Sequence, residues 1–253
     1  MHRNMKKTLI FSLAVVLTFS IFSCKKVDYD LPDGDVVMPV AVDLGINVDG
    51  KTIKWASFNL GATEEYETGY FYAWGSTTRK TEYLWKSYPY SNYDGTMFMK
   101  YCFSFSNSWW GGEGAPDNLK SLEPQDDVAA KRLGGKWRMP TKKEAEALTL
   151  TLYNTTKYTW DFHAQSGGVR GARVTQKSTG NTIFLPYAGL MNGNQSEFAG
   201  IRGFFWTSDL SEGETAGPDG AFNLGVDIND EGAGIWSNSR CYGFPIRPVY
   251  VME

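Results

Sequence analysis

The chain has 253 residues, 42% of them hydrophobic and 21% charged, with a formal net charge of −3. That usage is ordinary for a globular protein and excludes disordered and fibrous classes. Two histidines and three cysteines in the whole chain exclude most zinc sites and catalytic triads, while 15 Phe, 14 Tyr, 9 Trp and 27 Gly favour a loop-rich fold over a helix bundle.

Residues 1–23 read as an address. Arg3, Lys6 and Lys7 form a basic start, and Leu9 to Phe22 is apolar except for Ser and Thr. The run is shorter than the roughly 20 apolar residues a spanning helix needs, so a secretion signal is expected. Its end, Ile21-Phe22-Ser23-Cys24, resembles a bacterial lipobox, with Cys24 as the acylated residue. The alternative is an ordinary signal peptide ending beside a chance cysteine. Acyl chains anchor a domain to a membrane without a spanning helix. By the same resemblance, Lys25 rather than Asp after Cys24 implies the outer membrane.

Residues 24–38 are polar, acidic and carry Pro32 and Gly34, which predicts a flexible tether reaching about 3.3 Å per residue. No second linker follows, so residues 39–253 are expected to form one domain. Three of the 25 basic residues and none of the 28 acids precede Cys24, so the mature chain carries 22 against 28. A net acidic chain without a basic cluster has no electrostatic footprint for nucleic acid.

In chain order, strands are expected at 40–48, 52–56 and 70–74, then a long aromatic loop over 76–120 packed by Tyr83, Trp85, Tyr88, Tyr90 and Tyr93. A helix is expected over 125–133, with Asp126 and Asp127 in its first turn, Lys131 and Arg132 in its last, and Gly134-Gly135 as its stop. A second helix starts at Thr141, where Thr141 and Glu144 match a capping box. Residues 170–176 and 182–185 read as a hairpin, and 203–209, 221–227, 234–238 and 244–250 as four further strands. Two mid-chain helices among many short strands indicate an α+β fold.

A set of short blocks occurs in a familiar order. They are Val42-Asp43-Leu44-Gly45, Asn59-Leu60-Gly61-Ala62, Gly134-Gly135-Lys136-Trp137-Arg138-Met139-Pro140-Thr141, Phe205-Trp206-Thr207-Ser208 and Ile246-Arg247-Pro248-Val249. Together they resemble the Fibrobacter succinogenes major paralogous domain family, secreted or lipid-anchored proteins abundant in gut Bacteroidota. The resemblance covers nearly all of residues 40–250, and a longer first hairpin around Asn47-Val48-Asp49-Gly50-Lys51 departs from it. It implies a C-type-lectin-like fold, with N- and C-terminal strands paired, two helices beside small twisted antiparallel sheets, and a late loop surface that hosts ligands.

The candidate chemistry is sparse. Trp137 and Met139 are expected in the core, with Arg138 paired to a buried carboxylate. Glu123-Pro124-Gln125 imitates a lectin tripeptide but precedes a helix, and no Trp-Asn-Asp follows. Asp227, Asn229, Asp230 and Glu231 make an oxygen-rich loop that fits no calcium-loop template, so a solvated turn is expected and no metal site. His163 is the single histidine of the mature chain and no nucleophile elbow accompanies it. Cys102 and Cys241 form a candidate disulfide in an exported protein, or else two separate thiols.

The richest stretch is Gly232 to Tyr242. Trp236, Asn238, Ser239, Arg240 and Tyr242, joined by Trp206 and Asn223 if the late strands pair, suit recognition of sugars or proteins. The alternative places the tryptophans in the core. No cofactor motif is present. The expected function is a non-catalytic, lipid-anchored envelope protein that binds glycan or protein. Alternatives are a structural or fimbrial-associated adhesin and, less favoured, a hydrolase using two carboxylates.

Overall fold

The computed structural model describes residues 29–102, 117–211 and 219–252. The expected signal segment and Cys24 lie outside them. Among the described residues no helix is long and apolar enough to cross a membrane.

The fold is mixed and sheet-rich. In chain order it runs β1 (Asp30–Leu31), β2 (Ala41–Val48), β3 (Lys51–Ala56), β4 (Phe71–Tyr72) and β5 (Arg79–Lys80), then α1 (Val128–Leu133), β6 (Trp137–Arg138) and α2 (Lys142–Leu150). There follow β7 (Tyr158–Ser166), β8 (Val169–Gln176), β9 (Thr182–Pro186), β10 (Leu190–Asn192), β11 (Gln195–Glu197), β12 (Arg202–Leu210), β13 (Gly220–Asp227), β14 (Gly232–Ser239), β15 (Phe244–Pro245) and β16 (Val249–Met252).

Three sheets carry the body, in the orders β2-β3-β16-β6, β7-β8-β9 and β12-β13-β14. The last strand therefore pairs with the early hairpin, Val249 opposite Trp55 and Met252 opposite Thr52. In the β12-β13-β14 sheet, alternation divides the side chains between two cores. Phe205, Leu224 and Val226 enter one core with α2 and the β7-β8-β9 sheet. Phe204, Trp206, Leu210 and Ala221 enter the other with α1, β6 and β15.

Local signals explain the helices. Thr141 caps α2 by accepting from Glu144 N–H, and the Glu144 side chain reaches back to Thr141 N–H. For α1 the cap is Asp127, accepting from Ala130 N–H, so the helix starts three residues later than its sequence predicts. The expected strand over 244–250 breaks into β15 and β16 between Pro245 and Pro248, which have no N–H to donate to a ladder, and Arg247 turns its side chain inward at the break. Its guanidinium, fully buried, donates to Asn59 Oδ1 at 2.8 Å, Ala56 O at 3.1 Å and Phe184 O at 2.8 Å. Strand β7 was not anticipated, although Tyr158, Phe162 and Ala164 are buried on it while Thr159, Asp161 and His163 are exposed.

The aromatic loop packs on itself as expected over its described part. Trp85 meets Tyr88 and Phe98 edge-on, and Tyr90 meets Tyr88 and Tyr101 likewise. Tyr93 departs from the expectation: it is 76% exposed.

The predicted tether is also different. Residues 29–36 lie against the body instead of running free. Asp30 and Leu31 pair with Lys80 and Arg79, Tyr29 O accepts from Thr81 N–H at 2.8 Å, and Asp33 pairs with Arg132 at 2.8 Å. The Tyr70 hydroxyl donates to Asp35 O at 3.2 Å, and Val36 packs on the second core.

Candidate functional site

The late strands do pair, in the register that sets Trp206 opposite Asn223 and Asn223 opposite Trp236. That register corrects part of the expected ligand face. Trp206 is fully buried; its ring stacks on Phe244 at 4.0 Å and its indole N–H donates to Tyr72 O at 2.9 Å. Asn223 is fully buried and donates to Trp236 O at 3.2 Å. Arg240 is fully buried as well, its guanidinium 3.9 Å from the Phe98 ring and donating to Tyr101 O at 3.2 Å. Burial pushes its pKa down. These three side chains hold the core and are out of a ligand's reach.

Trp236, Asn238, Ser239 and Tyr242 remain half-exposed. Trp236 rests on the bare backbone of Gly225, where a Cβ would come within 2.1 Å of its ring. Its other neighbours are Phe204, edge-on at 5.5 Å, and the Arg202 guanidinium at 6.0 Å. Ser239 donates to Asp219 Oδ2 at 2.9 Å. Strand β14 pairs only with β13, leaving its outer edge open among the described residues.

A concave site lies elsewhere. A cavity of about 490 Å³ opens between α1, β6 and the ends of β3 and β16, lined by Lys51, Asp127, Lys136, Trp137, Arg138 and Ser208 among others. The chain builds it from the Gly134-Gly135 stop of α1, one extended step through β6, and the capped start of α2. Arg138 forms a fork with Glu144, at 2.7 and 2.5 Å, and donates to Met139 O at 2.9 Å. Burial lowers its basicity, and the Glu144 carboxylate more than restores it. Trp137 and Met139 are buried beside it, as expected. Asp127 accepts from Ala130 N–H at 2.9 Å and Met139 N–H at 2.8 Å, and burial raises its pKa. Lys51 and Lys136 are exposed and have no ion-pair partner among the described residues. The wall is thus an indole, two unengaged ammonium groups and a carboxylate already committed to the backbone.

The remaining candidates are engaged structurally. Gln125 donates to Glu123 at 2.8 Å, and Glu123 pairs with Lys100 at 2.5 Å. Asp227 accepts from Arg202 at 2.5 Å and from Asn229 N–H at 2.8 Å. His163 meets Glu231 at 2.9 Å on the surface. Among the described residues no three metal-ligating side chains converge. Cys102 and Cys241 are free thiols in one aromatic cluster, so the candidate bridge is not formed. Burial raises both, Cys241 to about 12, which leaves it inert as a nucleophile.

Comparison with family models, with curated proteins and with solved structures finds no match.

Proposed function

We propose that this chain is a lipid-anchored envelope protein of the Fibrobacter succinogenes major paralogous domain type, whose C-type-lectin-like body holds a glycan or protein ligand without transforming it. Support for the fold comes from the pairing of β3 with β16, the two short helices and the small antiparallel sheets. Support for the anchor comes from the lipobox-like Ile21-Phe22-Ser23-Cys24 alone. Outer-membrane placement follows from Lys25 by resemblance.

The observation that carries the binding reading is the cleft beside Trp137. Its lining holds one carboxylate, Asp127, whose oxygens are taken by two backbone N–H groups. Two-carboxylate hydrolysis needs a pair of acids about 5–9 Å apart across the substrate, which this cleft does not offer. An indole edge and two unengaged ammonium groups suit an acidic ligand, such as a uronate-bearing glycan or an acidic peptide.

The test is a glycan array and a peptide pull-down with mature residues 24–253 made without acylation. Binding should be lost in the Lys51→Glu, Lys136→Glu double variant. Silence on both screens, or binding indifferent to the double variant, overturns the cleft. The half-exposed Trp236 and Asn238 favour a second reading, in which the late strand is the contact surface; loss of binding in Trp236→Ala with the lysines intact would select it.

A further inference from the structure

The described chain begins at Tyr29, and residues 29–36 are fastened to the body by strand pairing and the Asp33–Arg132 ion pair. Only residues 25–28 are left to span the gap to Cys24. Five Cα steps reach about 17 Å at full extension. A body of about 215 residues has a radius near 22 Å. The anchor point therefore cannot stand off by even one radius, and the Tyr29 side is held toward the lipid.

Beside that point sits an unusual loop. The Lys86 ammonium lies 5.2 Å from the Tyr29 ring, and the Trp85 indole packs on Gly95, where a Cβ would come within 2.5 Å of the ring. Gly95 is the turn of a tight hairpin-like loop in which Ser91 bridges Phe98 and Asn92 N–H donates to Met97 O at 2.9 Å. Thr96 N–H and hydroxyl both donate to Asp94. The backbone is thus fixed from within, and its side chains alternate: Phe98 is 1% exposed, Met97 41%, Met99 60%, with Tyr93 at 76%. Large apolar side chains on a braced loop, with lysines nearby and an acylated residue within reach, match the composition of an interfacial membrane contact.

We propose that the loop over residues 91–99 is a lipid-surface contact, in which Tyr93, Met97 and Met99 insert at the headgroup boundary and fix how the anchored body sits on its membrane. This rests on the acylation of Cys24 in the proposed function. Tethering supplies the high local concentration that lets so small a patch act.

Methionine oxidation reads it residue by residue, since peroxide converts only accessible thioethers to sulfoxides. The acylated protein is reconstituted in phosphatidylethanolamine–phosphatidylglycerol vesicles and compared with unacylated residues 24–253 in buffer. Flotation with the vesicles reports the anchor. Met252, 40% exposed on β16, is the internal reference. Oxidation of Met97 and Met99 should slow at least about fivefold relative to Met252 in the floated protein. Flotation with unchanged Met97 and Met99 rates overturns the contact and leaves the anchor standing. Failure to float overturns both. Protection that appears without vesicles at high protein concentration would mean a second copy covers the loop, and also overturns the contact.

Discussion

Replacing Arg247 by Met should cost about 3–5 kcal/mol of folding stability. The guanidinium is fully buried and, among the described residues, has no carboxylate at contact; three neutral oxygens, on Asn59, Ala56 and Phe184, accept from it within 3.1 Å. Burial presses its pKa down to about 9, so it is still charged at neutral pH. Two effects oppose each other. Removing a buried charge relieves its desolvation, which is why ion pairs can often be exchanged for apolar residues at little cost. Here the acceptors are mostly backbone carbonyls that stay behind, and each orphaned acceptor costs about 1–3 kcal/mol. Three such losses outweigh the relief. Arg247→Lys should fare little better, since one ammonium cannot reach all three oxygens, which lie on two separate segments, 56–59 and β9. Urea denaturation followed by tryptophan fluorescence gives the difference directly; in a thermal melt it corresponds to a Tm drop of about 8–15 °C. An Arg247→Met protein within about 1 kcal/mol of the parent would refute the claim that this fork joins the first hairpin, β9 and the last strand.

Three other outcomes are expected. Gly225→Val should unseat Trp236 from its place on the strand, red-shifting and quenching part of the tryptophan emission and costing about 2–4 kcal/mol; unchanged emission would mean the indole is not held there. Asp127→Ala removes the α1 cap and strands Met139 N–H, for a loss of about 2–3 kcal/mol by chemical denaturation. Burial works to raise the Asp126 pKa, but the Lys100 ammonium and the Tyr101 hydroxyl outweigh it and hold the carboxyl below its usual range. A depressed acid stabilises the fold above its unfolded pKa and loses that contribution as pH falls through its folded one. The stability gap between the parent and Lys100→Met should therefore be full near neutrality and close below about pH 4; a gap constant down to pH 2 would count against this pair.

Local chemistry was legible where the partners are close in sequence. The capping box of Thr141 and Glu144, the glycine stop of α1 and the 170–185 hairpin need only neighbours within a few residues. The docking of residues 29–36 was not, because its partners Arg79 and Arg132 lie about 50 and 100 positions away. Composition alone makes that segment look like a free linker. Trp206 and Trp236 are the same residue type on the two outer strands of one sheet, in line across Asn223, yet one stacks inside on Phe244 and the other reaches the surface. Their fates depend on what covers each end of that row, Phe244 of β15 and Tyr72 of β4 over Trp206 and solvent beside Trp236, a fact of long-range packing and not of residue type. The cleft was invisible for a similar reason: it is assembled from residues near 51, 121–141, 208 and 251. Strand β7 could have been found, since its alternation is regular; its polar positions disguise it as loop.

The β12-β13-β14 sheet is a party wall, and the two rooms it divides stand or fall together. Phe205 and Trp206 are adjacent in the chain and bolt into opposite rooms, so neither room can melt while the other stays furnished. A protein built this way should resist stepwise nicking: a protease gains little until the whole body opens at once.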